Sequence, residues 1–269
     1  MAVSLVLLGI VAAGISAQKT REGFFLDQSI QASYNPLGVQ LVTKAYYRLP
    51  LVTADGILWE STKIDLGVQN NLSPAYDMLG VYIDIAPIAI FDLALSAQAV
   101  GYYNGFGFGF YDLSGYSSEF DSAALDALPS RNAMGYVLSA APTLKFAYGP
   151  IVMADTFSLT YFYADDGSGF FYERIANCVL GKSDLELANQ AYLLATIMPG
   201  LLAGVNDSLL YVPGSEYLSH RLTALGIYTT RLSEKVSING VVMMGTFLAD
   251  RYYQYALYAA VQAGVSLAL

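Results

Sequence analysis

From Tyr255 to Leu269 the chain reads YALYAAVQAGVSLAL. Every second residue is apolar: Tyr255, Leu257, Ala259, Val261, Ala263, Val265, Leu267 and Leu269. The residues between them, from Ala256 to Ala268, are small or polar apart from Tyr258. A strand sends alternate side chains to opposite faces, so this pattern predicts a strand with one oily and one tolerant face. Its length exceeds the usual five or so residues of a soluble strand and suffices for a tilted membrane crossing of roughly 9–11 residues.

The same alternation recurs along the chain. Phe24 to Tyr34 is a weaker first strand. In Gly38 to Leu49, Val39, Leu41, Thr43, Ala45, Tyr47 and Leu49 alternate with Gln40, Val42, Lys44, Tyr46 and Arg48. Further strands are predicted for Trp59–Asn71, Met78–Ile85, Phe91–Val100, Gly135–Phe146 and Val152–Tyr163, then Leu185–Ile197, Leu201–Val212, Leu218–Thr230, Lys235–Leu248 and the final stretch. Pro142 falls inside one of them and counts against that strand unless it marks a bulge. Twelve strands result, within a range of 10–14: 165–184 reads as a long connection that can carry its own short hairpin, and 166–184 can also be read as two extra spanning strands. With both termini on one side, Ala54–Gly56, Ala86-Pro87, Gly149-Pro150, Pro199-Gly200 and Ser233-Glu234 become short turns on that side. The connections at 70–77, 104–132, 165–184, 213–217 and 249–253 then fall on the other. The fold class expected is all-β: an antiparallel, up-and-down transmembrane barrel forming one domain over 18–269.

Composition supports this. The 269 residues are 55% hydrophobic and only 13% charged, about half the charge of a soluble domain, with mean hydropathy +0.44. No helical span of about 20 uninterrupted apolar residues occurs internally: Asp84, Pro87 and Asp92 break 78–100, and Pro199-Gly200 breaks 191–205. Twenty-two tyrosines and thirteen phenylalanines suit strands and interfacial girdles. The net charge of −9 offers no basic patch for phosphates, so no nucleic-acid partner is expected. The one cysteine, Cys178, excludes an internal disulfide and reads as a bystander thiol. Residues 1–17 form an apolar run ending in small residues and predict a signal peptide cut near Ala17, although no Lys or Arg precedes the run.

The chain resembles the Gram-negative outer-membrane β-barrel proteins as a class. The signal-like Met1 to Ala17, the proline-bearing short turns and the final strand carry the resemblance. Val261, Ala263, Val265 and Leu267 match the alternating terminal assembly signal of that class, while Leu269 stands where an aromatic residue is usual. The resemblance implies export through the periplasm, and a bilayer with lipopolysaccharide as surroundings. It covers nearly the whole mature chain, and no motif ties it to one family.

With the oily faces outward, the lumen receives Lys44, Arg48, Asp65, Asp84, Asp92 and Lys145, together with Gln69, Tyr82 and Gln98. Two arrangements are open. These charges line a narrow pore passing small solutes or ions, or Lys44 and Arg48 pair with Asp65 and Asp84 and fill the lumen. In the second case the protein acts through its outer loops in adhesion, assembly or partner binding. No catalytic, cofactor or metal residue is assigned. His220 is the single histidine; Ser219 beside it faces the opposite way, and Asp207 or Glu216 orients it only if the fold allows. Asp165-Asp166 superficially resembles the acidic pairs of outer-membrane proteases and reads as a solvated loop tip. Glu119, Asp121 and Asp126 in the 104–132 loop are candidate Ca²⁺ ligands without EF-hand spacing, and read more simply as solvated. Phe106, Phe108 and Phe110 are expected either in that loop or as a constriction at the pore mouth. The GFGFGF run there lacks the helix and lysine of a phosphate loop.

Overall fold

A computed structural model describes residues 20–52, 56, 58–105, 108–165 and 169–269. Met1–Ala17, Ala54, Asp55, Phe106 and Asp166 lie outside them. Twelve long strands form: β1 (Gly23–Tyr34), β2 (Gly38–Pro50), β3 (Lys63–Leu72), β4 (Tyr76–Ile88), β5 (Phe91–Tyr102), β8 (Ala133–Tyr148), β9 (Ile151–Ala164), β12 (Ser183–Met198), β13 (Leu201–Val212), β14 (Tyr217–Arg231), β15 (Val236–Ala249) and β16 (Leu257–Ala268). Between them lie the short β6 (Phe110–Leu113), helix α1 (Ser122–Asp126), β7 (Ser130–Arg131), β10 (Phe170–Glu173) and β11 (Cys178–Gly181). The long strands close into an antiparallel barrel in the order β1-β16-β15-β14-β13-β12-β9-β8-β5-β4-β3-β2. Phe25 pairs with Ala268 across the seam, so the predicted terminal strand closes the cylinder.

Why the barrel faces this way follows from the alternation. The outward residues Val81 and Val242 are 58% and 60% exposed, while their inward strand neighbours Tyr82 and Val241 are buried. Outward aliphatics such as Val68, Leu95, Leu138, Leu193 and Val261 occupy the strand middles. Outward aromatics gather near the ends: Phe24, Phe146 and Tyr228 at the end holding the termini, Tyr34, Tyr136 and Tyr211 at the other. An apolar band flanked by two aromatic girdles is the surface of a transmembrane barrel. Closure leaves no unpaired sheet edge to meet lipid.

The short and long connections segregate largely as expected, with four corrections. The strand predicted from Trp59 begins only at Lys63, so residues 51–62 all lie between β2 and β3 on the side of the short turns. Ala86-Pro87 lies within β4, and the turn is Ala89-Ile90. Pro87 points outward near the strand end, where the β4–β5 register shifts between Ile85 and Ile88. Pro142 causes no bulge. The β5 register runs straight through Leu93↔Pro142, and the β9 ladder omits two pairs, then resumes in the same register at Thr143↔Thr156. Proline has no N–H to donate, and the gap it leaves falls in the β9 ladder alone. Finally, the 165–184 segment adds no spanning strands. Its β10 and β11 join β6 and β7 from the 103–132 connection in a separate sheet ordered β11-β10-β6-β7.

Candidate functional site: the barrel lumen and its plug

At the end away from the termini, the small sheet fills the barrel mouth. Phe110, Leu113, Phe171, Cys178, Val179 and Leu180 pack against inward side chains of the long strands, including Tyr76, Met78, Val100, Tyr102, Val137 and Phe162. Phe110 stacks on Phe171 with centroids 4.9 Å apart, and Tyr102 meets Phe110 edge-on at 5.2 Å. Phe120 meets Tyr252 edge-on at 4.6 Å. Polar ties pin the edges. The Arg131 guanidinium donates twice to Asp112, at 2.6 and 2.7 Å. Tyr116 donates to Asp184 at 3.0 Å, and Arg251 reaches Glu119 at 2.9 Å. Burial of so much aromatic area, at roughly 25 cal/mol per Å², is what holds two long connections inside the mouth.

This arrangement settles several loop residues. Phe110 folds into the barrel mouth, as the constriction reading required, in the core of the plug, and Phe108 lies beneath the Arg174 guanidinium at 5.3 Å. Glu119 is engaged by Arg251 and Tyr252, and those two donors hold its carboxyl below the usual glutamate range. Asp121 caps α1 by accepting from the Ala124 amide at 2.7 Å. These carboxylates serve separate contacts, and no metal-binding group of side chains occurs among the described residues. Cys178 is fully buried and its thiol is pushed up by burial. Glu173 is also fully buried, one oxygen accepting from the Ala176 amide at 2.5 Å and the other unpartnered. Burial raises its carboxyl to about 7.

Below the plug lies a cavity of about 790 Å³. The β10–β11 turn residues Ile175, Ala176 and Asn177 line one end of it, and Arg21, Ser61, Glu234 and Lys235 line the terminal end. Lys44, Arg48, Asp65, Asp84 and Asp92 all line it; Lys145 is not part of that lining but bonds Asp92 at 2.5 Å.

The charges form a ladder across β1 to β8. Arg48, Asp65 and Asp84 stand in one register row of β2, β3 and β4. Arg48 donates to both oxygens of Asp65 at 2.7 Å. Lys63 reaches Asp65 at 2.6 Å and Asp84 at 3.1 Å. Thus Arg48 pairs as one of the two arrangements required, but Lys44 does not. Its ammonium sits over the Tyr82 ring at 4.7 Å, opposite Asp27 in register. Lys63 and Asp27 are ladder members that the sequence reading did not single out. Lys63 has the same strand parity as Asp65, which was the available signal. The opposite wall is largely apolar, with Tyr192, Leu194, Leu225, Val241, Phe247 and Tyr258 buried together. Arg221 lies over Tyr258 there at 3.7 Å.

His220 faces outward on β14, and its Nε2 lies 2.6 Å from Asp207 Oδ1. So Asp207, not Glu216, is its partner, while Ser219 lines the lumen.

No protein-family model matches the chain, and no curated protein matches it in sequence. Solved structures do match in shape. The transport unit of the autotransporter AIDA-I from Escherichia coli superposes with a TM-score of 0.51 at 8% identity, covering 96% of both chains. The translocator domain of autotransporter NalP from Neisseria meningitidis gives 0.45 at 11% identity, over 99% of this chain and 95% of that one. The NanC porin gives 0.46 at 9% identity, over 91% and 100%. The fold is a transmembrane β-barrel of the outer-membrane kind.

Proposed function

We propose that this protein is an outer-membrane channel for small solutes or ions, closed at its outer end by the loop sheet in the conformation described. The reading rests on one observation: a charge-lined cavity of about 790 Å³ runs from the terminal end up to a dry aromatic plug. Lys44 in the ladder and Arg221 on the opposite wall lie over aromatic rings and make no ion pair within 4 Å among the described residues, so charge is left facing the cavity. With the termini on the periplasmic side, the cavity opens to the periplasm and the plug faces the exterior. Passage then requires the plug to shift. A permanently sealed barrel acting through its outer loops is the second reading, favoured by the density of the plug core. No catalytic role is proposed for His220.

Efflux from proteoliposomes loaded with small polar solutes separates the two. Phe110→Ala with Phe171→Ala removes the stacked pair at the centre of the plug. The channel reading expects slow efflux from the wild type and at least tenfold faster efflux from the double variant. Equal, background efflux from both, with the barrel folded, supports the sealed reading instead.

A further inference from the structure

The outward wall is not uniformly apolar. At mid-strand, β3, β4, β5, β8, β15 and β16 present Val68, Val81, Leu95, Leu138, Val242 and Val261 to the bilayer. Gln28 on β1 and Thr43 on β2 are neutral exceptions, and toward the end away from the termini outward Asn70 on β3 donates to Asp77 on β4 at 2.5 Å. On β9, β12, β13 and β14, four neighbouring strands, the outward positions instead include Asp155, Asn189, Asp207 and His220. Asp155 lies between outward Met153 and Phe157, and Asp207 between outward Val205 and Leu209, so both carboxylates sit inside the apolar band. Charge facing hydrocarbon is costly, less so for Asp than for Lys or Arg but unfavourable at mid-depth.

The four residues form a stripe of two bonded pairs, side by side on adjoining strands. Asn189 donates to Asp155 Oδ1 at 2.7 Å, and His220 Nε2 meets Asp207 Oδ1 at 2.6 Å. Asp155, Ala191 and Asp207 share one register row, and Asn189, Leu209 and His220 share the next. Ala191 stands between the pairs and Ala224 diagonal to Asp207, and beyond Leu193 and Val205 the next outward row is Ala195, Ala203 and Gly226. Small residues with polar side chains among them are what allows two membrane-embedded surfaces to approach closely and bond.

We propose that the β9–β14 wall is the interface for a second copy of this chain within the bilayer. The stripe carries donors and acceptors together, which makes it complementary to itself. A two-fold axis along the membrane normal, between β12 and β13, sets β12 of one copy against β13 of the other. Asn189 then faces the partner subunit's Asp207, to which it can turn the hydrogen held here only by a long 3.5 Å contact with the Thr156 carbonyl, and the exchange occurs twice. Only one oxygen of each carboxylate is bonded among the described residues, which leaves an acceptor on each for that contact. The carboxylates are thereby removed from lipid. This inference is independent of whether the lumen conducts.

The test is the oligomeric state in lipid nanodiscs or vesicles, counted by single-molecule photobleaching. The wild type is expected to be dimeric. The triple variant Asp155→Leu, Asn189→Leu, Asp207→Leu is expected to be monomeric, with the barrel still folded by its heat-modifiable gel mobility. A second measurement does not depend on the triple variant folding. In a Cys178→Ser background, Ala191→Cys on the stripe is expected to cross-link between copies at least tenfold more than Val68→Cys on the opposite wall. A monomeric wild type, a triple variant that stays dimeric, or equal cross-linking at the two positions overturns the proposal.

Discussion

Asp65 is the residue on which the lumen wall depends most. It is 3% exposed and holds Arg48 through both oxygens and Lys63 through one. A buried pair adds little net stability over an apolar alternative, but removing one partner strands the other. Asp65→Ala is therefore expected to lower barrel stability by about 3 kcal/mol, read from urea unfolding in lipid vesicles; a change within about 0.5 kcal/mol, the range of an inconsequential surface substitution, contradicts the ladder's structural role. The ladder was legible from sequence because strand parity alone sends Lys44, Arg48, Asp65, Asp84 and Asp92 to one face. Which charges pair was not legible, since pairing depends on register between strands. The Lys44 ammonium over Tyr82 and the double role of Lys63 follow from that register. Lys63 is also the first residue of β3, where a turn and a strand look alike in pattern.

The plug is the element that parity could not reveal. Its strands are two to four residues long, too short for alternation to be read, and it pairs segments about 60 residues apart, as in Phe170↔Leu113. Only the aromatic density of 104–132 hinted at a core. Glu173 gives the plug a pH dependence. Its carboxyl is raised by burial from the ordinary 4.5 to about 7, with Tyr76, Tyr102, Tyr172 and Cys178 of the plug and mouth, and Glu186 of β12, among the groups around it. An acid whose docked form holds its proton more tightly favours docking fully below pH 4.5. That advantage is lost as pH rises through about 7. Solute efflux is therefore expected to be slower at pH 5 than at pH 8, and Glu173→Gln is expected to flatten the difference. Efflux that is the same at both pH values in the wild type, or a difference that survives Glu173→Gln, contradicts this assignment.

At the scale of the whole molecule, the barrel separates three environments. The outer wall meets lipid with an aliphatic band between aromatic girdles, in which β9, β12, β13 and β14 carry the polar Asp155–Asn189 and Asp207–His220 pairs. The lumen sets a charged wall against an apolar one. The outer mouth is closed by a dry sheet. Strand number, closure and the sidedness of the connections were legible because a period of two cannot shift by one residue without exposing every polar side chain to lipid. The outward polar stripe was not, since nothing in one strand's pattern shows that its exception adjoins exceptions on three others. The central claim is that a charge-lined conduit waits behind a movable plug. Single-channel recording in planar bilayers under a salt gradient tests it most directly, comparing wild type, Phe110→Ala/Phe171→Ala, and that variant with Asp84→Asn and Asp92→Asn added. The account predicts rare discrete openings in the wild type and frequent ones in the plug variant. It also predicts a reversal potential that moves toward anion preference once Lys44, Lys63 and Lys145 lose their two counter-charges. A folded plug variant that never opens, or one whose ion preference ignores the loss of Asp84 and Asp92, contradicts it.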